Sequence, residues 1–403
     1  MDLSWTEEDE AFRAEVRKYL EANAPKDLPE DESANFEARR QWQKKLAEDG
    51  WVAIHWPEEF GGRGASLLQT VIYNEEYTRA RAPLLVNSLG VGLLGPTLMV
   101  HGNDEQKQRY LKKVLSAEEI WCQGFSEPNA GSDLAAIQTR AELDGDEYVL
   151  NGQKIWTSYG KYADWMFALV RTDPSAPKHQ GISYLLVDMH SPGVEARPLK
   201  EITGDSLFAE VFFSDVRVPK ENLVGEQNDG WRIAMTTLGF ERGAGGLAQS
   251  VRLRNSVLDL IGDAQKVRRN GWTAFDDPLS RNKIGKWLVE IEVYRYTTLR
   301  AISALVHGGS PGPEASINKI FWSEWHKSFT EDAMDILGPV GRVTTDESGK
   351  IDSQRWVREY LFARAGTIYA GTSEIQRNII AERVLGLPKE PRGDTKTEKA
   401  GDR

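Results

Sequence analysis

The chain has 403 residues, enough for two or three packed domains around a large buried site. Its 61 acidic against 50 basic residues leave a net charge of −11, and no Lys/Arg run interleaves with aromatics, which argues against nucleic acid as a partner. One cysteine, Cys122, excludes an intrachain disulfide, and six histidines without paired ligand spacing give no support to a metal centre.

The opening MDLSWTEEDE is acidic and has neither the basic flank nor the apolar stretch of a signal peptide, so a cytoplasmic location is expected. Helical periodicity begins after Ser4-Trp5-Thr6, where Phe12, Val16 and Leu20 recur every four residues, and helices are expected to about residue 117. Within them LLVNSLGVGLLGPTLMV, residues 84–100, is short for a membrane span and broken by Gly and Pro; it predicts a buried helix and no membrane segment. From Trp121 the pattern shortens to strand-like runs, YVL, KIWTS, WMFALV, GISYLLV and AEVFFSDVRV, with DGDEY and LNGQ as turn signals. This predicts a β domain over 118–226, a sandwich or small barrel. After Gly225 long helical patterns return and fill 227–388. The tail 389–403 is charged, Pro-containing and aperiodic, so it is expected to be disordered. The fold class is α+β, in the order helices (1–117), sheet (118–226), helices (227–388).

Three stretches carry chemistry. FSEPNAGSD, 125–133, forces a loop with free backbone N–H groups, which suits a phosphate or a polar ring edge; read alone, it is also an ordinary turn between strands. NGQKIWTSYG, 151–160, sets Trp156 beside Thr157 and Ser158, which suits one face of a planar heterocycle or a core Trp with strand hydroxyls. In YAGTSEIQR, 369–377, Gly371 permits an unusual turn and Thr372 can cap a helix carrying Ile375, Ile379 and Val384.

Together, in this order, these stretches resemble the acyl-CoA dehydrogenase family over roughly residues 5–388. The resemblance implies an N-terminal helical domain, a central β domain and a C-terminal four-helix bundle, with FAD held between the last two. It places Phe125, Ser126, Gly131 and Ser132 along the flavin and its phosphates, with Ser132 also near substrate. Trp156 and Ser158 would lie against the ring, and Thr372 and Glu374 on the adenosine side. It also implies an acyl-CoA substrate, α,β-desaturation, an electron-transfer flavoprotein as acceptor, and a homo-oligomer, dimer or tetramer, or a heteromer.

That chemistry needs a carboxylate near the α carbon, and many members carry it as the glutamate of Tyr-Glu-Gly-Thr, where this chain has Ala370. A branch similar to the isovaleryl and long-chain enzymes, and to actinobacterial enzymes for bulky acyl groups, carries the base as Glu-Arg on the first long helix of the last domain. LGFERGAGG matches it, so the resemblance makes Glu241 the base and Arg242 its orienting or substrate-contacting neighbour. At helical spacing Glu241 shares a face with Ala234, Thr237, Leu238 and Gly245, where lost hydration would raise a carboxylate toward the range of a general base. Two departures stand out: VRRNGWTAFDDPLSRNKIGKW replaces the family's Arg-x-x-Phe-Gly-Lys run, and Asp335 replaces the Gln before Ile-Leu-Gly. They leave two rival readings, a non-catalytic or half-catalytic subunit of a heteromer, and a flavin oxidase or monooxygenase of the same fold.

Overall fold

The computed structural model describes residues 5–29, 32–240, 246–269, 271–307, 312–313, 315–343 and 351–389. Glu241, Arg242 and residues 390–403 of the expected disordered tail lie outside the described residues.

Helix α1 (Glu7–Asn23) opens on Thr6, whose hydroxyl accepts from the Asp9 amide while the Asp9 carboxylate accepts from the Thr6 N–H. This reciprocal cap satisfies two donors that a helix start leaves orphaned. Its inward residues Val16 and Leu20 meet α2 (Glu32–Glu48) and α3 (Leu67–Arg79) through Trp42, Leu46, Trp51 and Tyr73. Arg13 crosses to Glu75 and Glu76 at 2.7 and 3.1 Å. Burial would raise the Glu76 carboxyl, but Arg17 and Arg13 outweigh it and hold the group below its ordinary range. The apolar run 84–100 is not one regular helix: it is irregular to Asn87, then helical, with a π turn over Gly90–Leu94 ahead of α4 (Gly95–His101). Gly95 is needed there, because a β carbon would fall 2.2 Å from the Trp56 ring. Helix α5 (Asp104–Leu115) closes the first domain.

The central domain is one hydrogen-bonded sheet of β1 (Trp121–Gly124), β2 (Arg140–Asp144), β3 (Glu147–Ser158), β4 (Trp165–Arg171), β5 (Ile182–Asp188), β6 (Val194–Leu199), β7 (Phe208–Pro219) and β8 (Leu223–Val224). Strand order is β6-β7-β3-β2-β4-β5-β8, with β1 parallel to β4. Among the described strands the ladder between the halves is the single parallel pair of Arg140 with Arg171. Both halves then bury one core, with Leu150, Val211 and Val216 from one side and Cys122, Met166 and Val187 from the other, which is the expected sandwich. The opposite face, with Phe125, Phe167 and Tyr184, packs on the first domain and on Ile233 and Ala234 of α6 (Gly230–Phe240).

The last domain packs α7 (Gly246–Lys266), α8 (Pro278–Val306), α9 (Ala315–Leu337) and α10 (Ser353–Gly366) around Val257, Trp287, Trp325, Phe329 and Trp356. A two-residue pairing of β9 (Arg268–Arg269) with β10 (Trp272–Thr273) joins α7 to α8, and α11 (Ser373–Ile379) follows α10. The domains are tied by polar clamps: Arg81 forks onto Asp259 at 2.7 and 3.0 Å, Asp259 also holds Arg355 at 2.8 Å, and Arg358 donates to Asp205 at 2.6 Å.

Candidate functional site

The loop 125–133 begins where β1 runs against β4 so closely that a β carbon on Gly124 would lie 2.1 Å from the Met166 sulfur. Phe125 is buried edge-on against Phe167 and Tyr184 and anchors the loop. Glu127 and Ala130 exchange backbone hydrogen bonds of 3.1 and 3.0 Å, closing a tight turn over Pro128-Asn129. Beyond it the amides of Gly131 and Ser132 make no hydrogen bond among the described residues, and the space around Gly131 is open.

Strand β3 brings the second stretch alongside. The Ile155 amide donates to the Ser126 carbonyl at 3.0 Å, which sets Ser126 next to Trp156. The register with β7 slips between Lys154 and Thr157, and at that bulge Trp156 takes φ +59°, a left-handed backbone that a bulky residue holds only at a cost in strain. The bulge turns the Trp156 ring outward, 59% exposed, resting edge-on against Phe208 at 5.9 Å. Ser158 lies two residues on, half-buried, opposite Phe208.

Beneath both stretches lies a pair that the sequence analysis missed. Lys154, fully buried, places Nζ 2.7 Å from Glu127 Oε1 and 3.2 Å from the Phe125 carbonyl. Glu127 also accepts from the amides of Gln138 and Thr139 at 2.6 and 3.0 Å. Burial would raise the Glu127 carboxyl, but the Lys154 charge and these donors hold it below its ordinary range. Lys154 has only two acceptors, so burial dominates and lowers its ammonium to about 8. A signal existed: Lys154 shares strand parity with the inward Tyr148 and Leu150, and a lysine on that face needs a buried anion.

The third stretch stands apart. Thr372 caps α11, accepting from the Ile375 amide at 3.2 Å, after Ala370 and Gly371 take φ +52° and +87° in succession. Glu374 is exposed and is held low by its own amide and the Thr372 hydroxyl. Neither Thr372 nor Glu374 bonds to loop 125–133 or β3 among the described residues. Of the face expected around Glu241, Ala234 and Thr237 are buried and Leu238 half-buried. Asp335 pairs with Arg342 at 3.0 Å and approaches Lys283 at 3.7 Å.

An outward aromatic face beside free amides and hydroxyls is a donor set that fits a planar, phosphate-bearing cofactor such as FAD. Family models match most of the chain: acyl-CoA dehydrogenase N-terminal domain over 6–118, middle domain over 122–216 and C-terminal domain over 228–385. The chain is 45% identical over 404 residues to the acyl-CoA dehydrogenase IpdE1 of Mycolicibacterium smegmatis, covering 96% of this chain and 100% of that one. It superposes with a TM-score of 0.84 and 32% identity on a chain of the ChsE4-ChsE5 complex from Mycobacterium tuberculosis, over 97% of this chain and 100% of that one. The same figures describe its match to the Tcur3481-Tcur3483 steroid ACAD.

Proposed function

Because the chain belongs to the acyl-CoA dehydrogenase family and is an FAD-dependent acyl-CoA dehydrogenase, we propose that Glu241 is its base and that its substrate is a bulky, polycyclic acyl thioester. The observation that carries the site is the junction of Ser126 with Trp156 above the Glu127–Lys154 pair. Bound FAD supplies the acceptor for the β hydride. Phe125, Gly131 and Ser132 line the loop that would hold it, the free amides of Gly131 and Ser132 offering donors for its polar parts; Ser132 would also border the substrate. Trp156 supplies an apolar face and Ser158 a hydroxyl beside it. Glu241 takes the α proton onto a carboxylate oxygen while Arg242 orients it. Support for Glu241 is the Glu-Arg pair in LGFERGAGG together with Ala370, whose exposed methyl accepts no proton. Support for the bulky substrate is the likeness to a steroid ACAD.

Thr372 and Glu374 bond to neither loop within one chain, so we assign them to the cofactor's adenosine side in an assembly with a second acyl-CoA dehydrogenase chain. Relatives solved as the ChsE4-ChsE5 and Tcur3481-Tcur3483 pairs favour a heteromer over a homo-oligomer. No helix among the described residues is long and apolar enough to cross a membrane, and we place the protein in the cytoplasm with an electron-transfer flavoprotein as electron acceptor. The test is anaerobic titration of the purified yellow protein with a panel of acyl-CoA thioesters. Bleaching by a polycyclic thioester in preference to straight chains is expected, while a flavin that no thioester bleaches would refute the reading.

Trp156→Ala removes a large, outward apolar surface that stands edge-on to Phe208. Flavin retention is expected to fall by about two- to tenfold, from the roughly 0.5–1.5 kcal/mol that an aromatic contact adds beyond the area it buries. Dialysis followed by flavin absorbance checks it, and undiminished retention with an unchanged spectrum would remove Trp156 from the site.

A further inference from the structure

Helix α6 leads directly to the proposed base: its last residue, Phe240, precedes Glu241, and Thr237 stands one helical turn before that carboxylate in the chain. Whatever fixes the roll and slide of α6 therefore fixes where the base is delivered. The start of the helix is held by contact, since a β carbon on Gly230 would lie 2.5 Å from the Ser183 carbonyl carbon of β5. Its inner face, with Ile233 and Ala234, is apolar and fully buried. Apolar burial is non-directional, so by itself it favours contact without selecting one register.

Two polar ties to α4 supply the direction. Thr97 Oγ1 and Thr237 Oγ1 lie 2.9 Å apart, both fully buried, across 140 positions of chain. One turn further along α4, His101 Nε2 lies 2.9 Å from Thr236 Oγ1, and Arg232 leans on the same ring at 3.5 Å. One hydrogen bond lets a helix pivot; a second, a turn away on the same neighbour, stops the pivot. Thr97 Oγ1 also lies 2.7 Å from the Leu93 carbonyl and Thr237 Oγ1 3.1 Å from the Ile233 carbonyl, so two hydroxyl protons serve three contacts. The shorter contact takes the Thr97 proton, and Thr237 gives its own to Thr97. Each hydroxyl keeps a carbonyl four residues back as an alternative acceptor. The bond between them is thus not required to satisfy either group, and its effect is to fix one helix against the other.

We propose that Thr97 and Thr237, with His101 and Thr236 beside them, are positioning residues that lock the end of α6 in the place from which the α proton is taken. The proposal rests on the assignment of the base to the segment that follows α6. Thr97→Val and Thr237→Val keep the side chain's shape and leave the remaining hydroxyl its own carbonyl, so folding and FAD content should be unchanged. A misplacement of about 1 Å can cost about a hundredfold in rate. Each variant of the full FAD-loaded protein is therefore expected to lower the limiting rate of flavin bleaching about ten- to hundredfold, with the Kd of the thioester unchanged. The double variant should be no slower than the slower single one, because both cut the same tie. Thr237→Ser, which keeps the hydroxyl, should retain most of the rate.

Bleaching is followed by anaerobic stopped flow with the thioester that reduces wild type fastest. Proton removal is read separately, by mass spectrometry of deuterium taken up at the α carbon in D2O after dithionite has reduced the flavin, which then accepts no hydride. Both readouts should fall together. Variants that match wild type in both overturn the proposal, as does a rate that falls only in step with FAD content and melting temperature, or a Thr237→Ser as slow as Thr237→Val. If Thr237→Val does not fold, Thr236→Val decides by the same readouts, since it cuts the half-buried tie and leaves Thr236 the Arg232 carbonyl at 3.3 Å. Glu241→Gln is measured beside them. At the wild-type rate it sinks the base assignment alone, and a slow Glu241→Gln beside hydroxyl variants that match wild type sinks this proposal alone.

Discussion

Glu241→Gln is expected to keep FAD bound and to slow substrate-driven flavin bleaching by about 10²–10⁴-fold, the range that a positioned general base contributes. The exchange keeps the side chain's size and removes only its capacity to take a proton, so a loss of rate without a loss of flavin reports on chemistry. No second base stands ready in the YAGT turn. Ala370 ends in a methyl, which accepts no proton. Stopped-flow mixing under anaerobic conditions with a thioester that bleaches wild type is the measurement. A variant that bleaches at close to the wild-type rate would show that the proton goes elsewhere.

Lys154→Met should cost about 3–5 kcal/mol, because it strands Glu127, 8% exposed, without its buried cation. The Gln138 and Thr139 amides still reach that carboxylate, which keeps the loss at the lower end. Flavin retention should fall with stability, since the pair joins the loop at Ser126 to the strand at Trp156. Adding Glu127→Gln removes the stranded charge and keeps an oxygen for those amides, so the double variant is expected to recover most of the loss. Calorimetric melting with parallel flavin absorbance decides: a single variant that melts with wild type and stays yellow would deny the pair its role.

The pair also sets a pH dependence of determinate sign. Glu127 lies below its ordinary range in the folded protein, so its contribution is present above that range and is lost as pH falls through the folded value. Lys154 is lowered from 10.5 to about 8, so between these values the unfolded chain binds more protons than the folded one. Its own contribution therefore makes stability rise with pH across that window, and Lys154→Met should abolish the rise.

By itself the sequence determined what depends on near neighbours. Periodicity separated helices, sheet and helices because the apolar spacing of each element reports which face it buries. Thr372 was legible as a cap because a cap bonds within three residues. The family resemblance offers two positions for the base, and Ala370, which has no proton acceptor, leaves Glu241 as the proposed one; Glu241 lies outside the described residues. Only the tertiary structure decided what depends on residues far apart in the chain. Lys154 meets Glu127 across 27 positions, and Trp156 faces outward because β3 slips one register against β7. A buried charge and a strained dihedral are held by the sum of their surroundings, and chain order does not list those surroundings.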